Sequence, residues 1–219
     1  MHNSVKNLLN IDNDIKDYLN KLNINSNPKI IAVSKTFKID KILPLVEHGH
    51  IDYGENKVLE AVEKWTEIKK INSKVKLHMI GKLQTNKVKF AVKIFDYIHS
   101  VDSEKLAKKI ADEQNKISKQ IKIFLQVNIG NENQKSGINK YDVSKLVSYC
   151  KEIGLDLIGL MCIPPADINP ERYFEEMNKL NKTLNLSELS MGMSSDFLKA
   201  VKYHSTYVRI GSSIFGQRF

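Results

Sequence analysis

The chain of 219 residues is 42% hydrophobic and 27% charged, which is typical of a soluble globular protein with a sizeable core. It has no apolar stretch near the roughly 20 residues that cross a bilayer and no signal-peptide segment, so we expect no membrane partner and a cytoplasmic location. The net charge of +9 comes from lysines that alternate with acidic residues, a pattern that does not favour nucleic acid as a partner.

Short β-branched runs alternate with segments of helical periodicity along the chain. A helix over 5–22 comes first, and its apolar stripe requires a surface to pack on. Gly49 follows the first crossover helix, where a residue with left-handed backbone is expected. Cys150 and Cys162 match no metal or redox spacing, which favours a reducing compartment. The eight predicted strands cover 30–34, 51–53, 76–80, 97–100, 122–128, 156–161, 188–191 and 207–210.

This alternation predicts an α/β protein, a single (β/α)₈ TIM barrel with an extra N-terminal helix, in which residues 1–219 form one domain. The alternative is an open doubly wound sheet. That fold requires fewer strands and a glycine-rich turn after the first strand, whereas the turn here reads Lys35-Thr36-Phe37-Lys38.

Residues that follow the strands converge at one mouth of a barrel, and ligands bind there. Lys35 leaves an apolar strand, so it is partly desolvated, which favours the neutral amine that Schiff-base chemistry needs. A strand-end lysine that simply reaches water is the alternative. The predicted cofactor-binding residues are Lys35, Asn56, His78, Met193, Ser194, Ser195, Arg209, Gly211 and Ser212.

Two loops after the last two strands have the composition of a phosphate site. Ser194 is expected at a helix N-cap, and Gly211 and Ser212 offer close backbone approach and a hydroxyl. Ordinary capping and turn formation would explain either loop alone, but barrels commonly hold phosphate at these two places. A reactive lysine on the first strand together with phosphate loops suits pyridoxal 5′-phosphate. Paired acids and metal-ligand clusters are missing from the strand ends, so we expect no metal site.

Six segments of the chain together resemble the pyridoxal phosphate homeostasis protein family. They are AVSKT at 32–36, YGEN at 53–56, HMIGKLQTNK at 78–87, GLMCIPP at 159–165, LSMGMS at 189–194 and VRIGSSIFG at 208–216. The resemblance implies a barrel related to the N-terminal domain of alanine racemase, with the cofactor attached to Lys35. It also implies phosphate contacts from Ser194, Gly211 and Ser212, and places Arg209 beside the pyridine nitrogen. Ser212 stands where threonine is usual and Cys162 where alanine is usual.

The function that follows is binding rather than catalysis. Arg209 stays protonated and cannot easily give the ring nitrogen a proton, so the ring is a weak electron sink. The second base and C-terminal domain of alanine racemase are not seen. We therefore expect a monomer that holds pyridoxal phosphate as a Schiff base on Lys35, buffers it inside the cell and delivers it to apo-enzymes. The alternatives are a low-turnover amino-acid racemase and a basic surface that binds RNA or a protein.

Other polar residues have modest predicted roles. His78 is expected to orient the end of the third strand by hydrogen bonding. Asn56 either lies near the cofactor ring or caps the following helix. Lys135 is expected to be a solvated surface lysine, and the pair His48 and His50 is not expected to bind a metal.

Overall fold

A computed structural model describes residues 1–132, 134–166 and 168–217. Strands and helices alternate along the chain in this part. The strands are β1 Lys29–Val33, β2 Asp52–Glu55, β3 Lys76–Met79, β4 Tyr97–Val101, β5 Lys122–Asn128, β6 Ile138–Asn139, β7 Asp156–Cys162, β8 Glu188–Met193 and β9 Tyr207–Ile210. The helices are α1 Asn3–Lys21, α2 Ile39–Glu47, α3 Val58–Ile71, α4 Val88–Ile94, α5 Glu104–Asn115, α6 Val143–Glu152, α7 Glu171–Thr183, α8 Phe197–Lys202 and α9 Ser212–Phe215, with a 3₁₀ turn at Thr85–Lys87.

Eight of these strands close into a parallel barrel. β1 pairs with both β2 and β9, and the ring runs on through β3, β4, β5, β7 and β8. The pairing of β4 with β5 closes the ring, which confirms the barrel and rules out the open sheet. The two-residue β6 lies beside the end of β5 and was not predicted, because so short a strand leaves no periodic pattern.

All eight predicted strands are confirmed, with ends that differ by at most two residues. The N-terminal helix is also confirmed, and its apolar stripe packs against α2, α8 and α9. Gly49 follows α2 with a φ of 94°, the left-handed conformation expected there. None of the described helices has both the length and the hydropathy that a membrane span needs.

Alternation along the strands sends every second side chain into the barrel. One buried cluster inside the barrel consists of Ile31, Tyr97, Phe124, Met161 and Tyr207. The opposite faces of the strands pack against the helices in the larger core. The interior is therefore filled, and the strand ends above it form the mouth.

Candidate functional site

A cavity of about 590 Å³ opens at the carboxyl ends of the strands, a volume in the range of small-molecule sites. The structure brings eight of the nine predicted residues together around it, and His78 is the exception. The eight are Lys35, Asn56, Met193, Ser194, Ser195, Arg209, Gly211 and Ser212.

The lining of the cavity is cationic. Lys35, Lys82, Lys135 and Arg209 contribute to it, and no aspartate or glutamate is among its described lining residues. Hydroxyl and amide groups make up much of the remaining polar lining. Such a donor set suits an anionic ligand, because cations and hydrogen-bond donors converge on the cavity.

The residue before Lys35 is fixed by a buried network. Ser34 donates its hydroxyl to Glu55 Oε1 at 2.7 Å, and Trp65 Nε1 donates to the same oxygen at 3.0 Å. Lys64 Nζ lies 3.0 Å from both Glu55 Oε1 and the Ser34 carbonyl oxygen. Because Glu55 is fully buried, these charged hydrogen bonds lock the end of β1 against β2 and α3.

The residue after Lys35 is fixed from the other side. Thr36 has a φ of 68°, an uncommon value for a β-branched residue. Its backbone N–H donates to Glu60 Oε1 at 2.8 Å, and the same oxygen is 3.1 Å from Lys64 Nζ. The turn that presents the half-buried Lys35 to the cavity is thus held at both flanks.

The loops after β8 and β9 meet at Ser194. Its Oγ accepts the backbone N–H of Gly211 at 3.3 Å and of Ser213 at 3.4 Å. The predicted N-cap role is wrong in detail, because Asp196 occupies the N-cap of α8 and accepts the N–H of Met193 at 2.6 Å. Ser194 instead ties the two predicted phosphate loops together.

Arg209 lies at the floor of the cavity and is only 4% exposed. Its Nη1 donates to Ser190 Oγ and its Nη2 to the Cys162 carbonyl oxygen, both at 2.8 Å. Burial lowers the pKa of Arg209, but a guanidinium remains protonated at neutral pH. Arg209 is therefore a fixed cation that can only donate.

His78 lies one layer below the cavity. It is fully buried and precedes the cavity residue Ile80 by two positions on the same interior face, so Ile80 separates it from the mouth. Its ring stacks on Tyr97 with 4.2 Å between the centroids, and it hydrogen-bonds to Asp52 and His99. Burial lowers the pKa of His78 and outweighs the opposite effect of Asp52. The structure thus separates His78 from the lining and gives it hydrogen-bonding partners inside the barrel.

The structure changes the expected place of Lys135 and rules out one of the two alternatives for Asn56. Lys135, expected at the surface, lines the cavity, where its Nζ lies 2.6 Å from Glu132 Oε2 and 3.1 Å from the Pro164 carbonyl oxygen. Asn56 also lines the cavity, and the N-cap of α3 is Lys57, so the capping alternative for Asn56 does not apply. Sequence reasoning also passed over Gln126, although alternation along β5 would have directed it inward.

The chain resembles known proteins over nearly all of its length. A family model described as the alanine racemase N-terminal domain matches residues 7–218. Pyridoxal phosphate homeostasis proteins from Pasteurella multocida and Aquifex aeolicus are 35% and 36% identical over 87% of this chain, and the matches cover 86% and 87% of those relatives. The structure of PipY from Synechococcus elongatus with pyridoxal phosphate bound has a TM-score of 0.80 and 31% identity, covering 92% of this chain and all of that one.

Barrel closure, a half-buried lysine after β1 and a cationic mouth define a protein of the alanine racemase N-terminal domain class. Within that class, this chain belongs to the pyridoxal phosphate homeostasis protein family.

Proposed function

We propose that residues 1–219, as one barrel domain, bind pyridoxal 5′-phosphate covalently at Lys35 and serve its intracellular homeostasis by buffering and delivering it. The convergence of Lys35, the Ser194–Gly211 loop contact and Arg209 on one cavity supports this most directly. The relatives agree with this proposal, since PipY has been seen with pyridoxal phosphate bound and the two other relatives are homeostasis proteins.

The residues present fit a phosphorylated pyridine aldehyde. Ser194, Ser195, Gly211 and Ser212 would hold the phosphate through hydroxyl and backbone N–H groups. A Cβ on Gly211 would lie 3.4 Å from the Cβ and carbonyl oxygen of Val33, an ordinary van der Waals distance, so this loop packs against the end of β1. Asn56 and Met193 would line the remaining ring site.

When bound, the cofactor supplies an aldehyde carbon that condenses reversibly with a primary amine, with loss of one water. Lys35 follows the strand that lies beside the loop of Gly211 and Ser212, because β1 pairs with β9. Arg209 would contact the ring nitrogen as a donor that does not release its proton. This keeps the ring a weak electron sink, which favours holding the cofactor over turnover.

Release to an acceptor then requires only that another amine compete with Lys35, so apo-enzymes are the expected recipients. The proposed carrier acts as a monomer. In this scheme His78 does not contact the cofactor and acts through its hydrogen bonds in the layer below the cavity.

Both cysteines are buried and free, and burial raises the pKa of each to about 12, which is compatible with a reducing cytoplasm.

The decisive experiment is intact-mass analysis after incubation with pyridoxal phosphate and borohydride reduction. We expect one cofactor per chain, attached to Lys35 by peptide mapping, and a visible absorption band that Lys35→Ala abolishes. Lys38→Ala, which removes an exposed amine three residues later, should keep both signals. Wild-type protein without a mass increase would overturn the proposal.

The racemase alternative is tested on the same preparation. Chiral analysis of several amino acids should show little conversion with wild-type protein. Robust racemisation that Lys35→Ala abolishes would show that the protein is an enzyme and not a carrier.

A further inference from the structure

A continuous row of hydrogen bonds runs through the barrel below the cavity. Arg209 Nη1 is 2.8 Å from Ser190 Oγ, and Ser190 Oγ is 2.8 Å from His99 Nδ1. His99 Nε2 is 2.9 Å from His78 Nδ1, and His78 Nε2 is 2.9 Å from Asp52 Oδ1. The five side chains come from five strands, and each is no more than 6% exposed. We name this row the interior relay.

Chemistry fixes the direction of every bond in the interior relay. Asp52 ends it as a carboxylate that only accepts, so His78 donates from Nε2. A neutral His78 then accepts at Nδ1 from His99 Nε2, and a neutral His99 accepts at Nδ1 from the Ser190 hydroxyl. The oxygen of Ser190 is left to accept from Arg209, which only donates. All donors therefore point from Arg209 toward Asp52, with no conflict at any step.

The interior relay connects the buried Arg209 to the negative charge of Asp52. No carboxylate forms an ion pair with Arg209 among the residues that the structure describes, although the side chain is 4% exposed. A buried cation without a direct counter-charge is costly. Aligned dipoles that end on a carboxylate offset part of this cost, because each hydrogen bond polarises the next.

We propose that Ser190, His99, His78 and Asp52 are positioning residues that hold Arg209 as the oriented donor at the cavity floor. The inference rests on the proposed function, since the group that Arg209 faces is the ring of pyridoxal phosphate. The relay then sets both the affinity for the cofactor and the electronic environment of its ring. Lys35 lies outside the relay, so covalent attachment does not depend on it.

Ser190→Ala tests the relay at its link to Arg209. It removes one hydroxyl and leaves a guanidinium hydrogen bond unmade. We expect the dissociation constant for pyridoxal phosphate, measured by equilibrium dialysis, to rise about tenfold. The absorption maximum of the bound cofactor should shift, whereas borohydride should still fix it to Lys35. Ser190→Thr, which keeps the hydroxyl, should restore the wild-type maximum.

Ser100→Ala is the matched control. Ser100 is buried and follows His99 in the chain. The hydroxyl of Ser100 has no hydrogen-bond partner among the described residues. Removing it should leave affinity and absorption maximum unchanged. A folded Ser190→Ala protein that behaves like Ser100→Ala would overturn the proposal.

Asp52→Asn tests the end of the relay opposite Arg209. It also keeps the proposal testable if Ser190→Ala does not fold. The amide oxygen can still accept from His78, but the negative charge is gone. We expect a smaller rise in the dissociation constant, about threefold, with a shifted absorption maximum. Wild-type values for both would refute a role for the relay.

The direction of the relay has a readout that needs no cofactor. Nitrogen-15 shifts of His78 and His99 should show both rings neutral, with the proton on Nε2. A proton on Nδ1 of either ring would refute the stated direction. Failure of wild-type protein to acquire the cofactor would refute the proposed function instead, so the two failures are distinguishable.

Discussion

Glu60 shows how a single charged side chain prepares the site without touching the cavity. Its Oε1 accepts the N–H of Thr36 and pairs with Lys64, which also bonds Ser34 and the buried Glu55. Burial of Glu60 would raise its pKa, but Thr36 and Lys64 lower it on balance. The left-handed Thr36 is held by this contact, which compensates for backbone strain next to Lys35.

Glu60→Gln should loosen the turn that presents Lys35. The amide keeps the shape of the carboxylate but loses the charge-assisted hydrogen bond to Thr36, so we expect a loss of about 1 kcal/mol in the free energy of unfolding. Hydrogen exchange at the Thr36 amide should become faster, and this site-specific signal is the main measurement.

Glu67→Gln provides the comparison on the same helix. Glu67 pairs with Lys70 in an exposed pair, with 75% of the glutamate side chain accessible. Glu67→Gln should change neither the free energy of unfolding nor the hydrogen exchange at the Thr36 amide appreciably. Equal exchange in both variants would show that Glu60 does not hold the turn.

At the scale of strands, alternation explains both what the sequence predicts and what it misses. Residues just beyond strand ends, such as Lys35 and Ser194, are recognisable from the strand pattern alone. Polar residues within strands, such as His99 and Ser190, also follow the inward period of two, but this period alone does not assign them a role. Which of them bond to one another depends on the stagger between strands, and a single sequence does not reveal that stagger.

The β7–β8 contact is a place where one strand position admits only glycine. A Cβ at Gly159 would lie 1.9 Å from the Glu188 carbonyl oxygen, a backbone atom that cannot swing aside. Gly159→Ala should therefore force β7 and β8 apart and lower the free energy of unfolding by about 2–3 kcal/mol. Because β8 leads into the loop containing Ser194, the affinity for pyridoxal phosphate should also fall, as measured by equilibrium dialysis.

Gly154→Ala separates steric clash from backbone strain. Gly154 has a φ of 72° and open space around its Cβ position. Its replacement should cost about 1 kcal/mol through the backbone alone and leave cofactor affinity unchanged. If Gly159→Ala has no larger effect than this variant, the strand contact is more adaptable than its geometry indicates.

At the scale of the whole molecule, barrel closure determines which residues meet. The pattern of eight strands predicts a barrel because a parallel strand needs a crossover helix after it, and the chain supplies one each time. Closure brings β1 beside β9 and thereby brings Lys35 and Gly211 to one cavity, although 175 positions separate them in the chain. The position of Lys135 was predicted wrongly because its contact with the Pro164 carbonyl oxygen is a tertiary one that its local sequence does not encode.

Two fully buried histidines and one half-buried histidine make the stability of the whole barrel depend on pH. Burial lowers the pKa of His50, His78 and His99 below the ordinary 6.5, although Asp52 opposes this at His50 and His78. In the unfolded chain these rings bind protons near pH 6.5, whereas in the barrel they do so only at lower pH. The unfolded state thus binds more protons below about pH 6.5, and the free energy of unfolding falls as the pH falls.

Urea denaturation between pH 7 and pH 5 measures this effect. Each histidine protonated only in the unfolded chain should contribute a slope of about 1.4 kcal/mol per pH unit. His99→Gln should reduce the slope, even if it lowers stability at every pH, because one buried imidazole is removed. His48→Gln, which replaces an exposed histidine, should keep the wild-type slope. If the free energy of unfolding of the wild type stays constant between pH 7 and pH 5, the folded barrel accepts these protons. The neutral rings on which the interior relay depends would then be excluded.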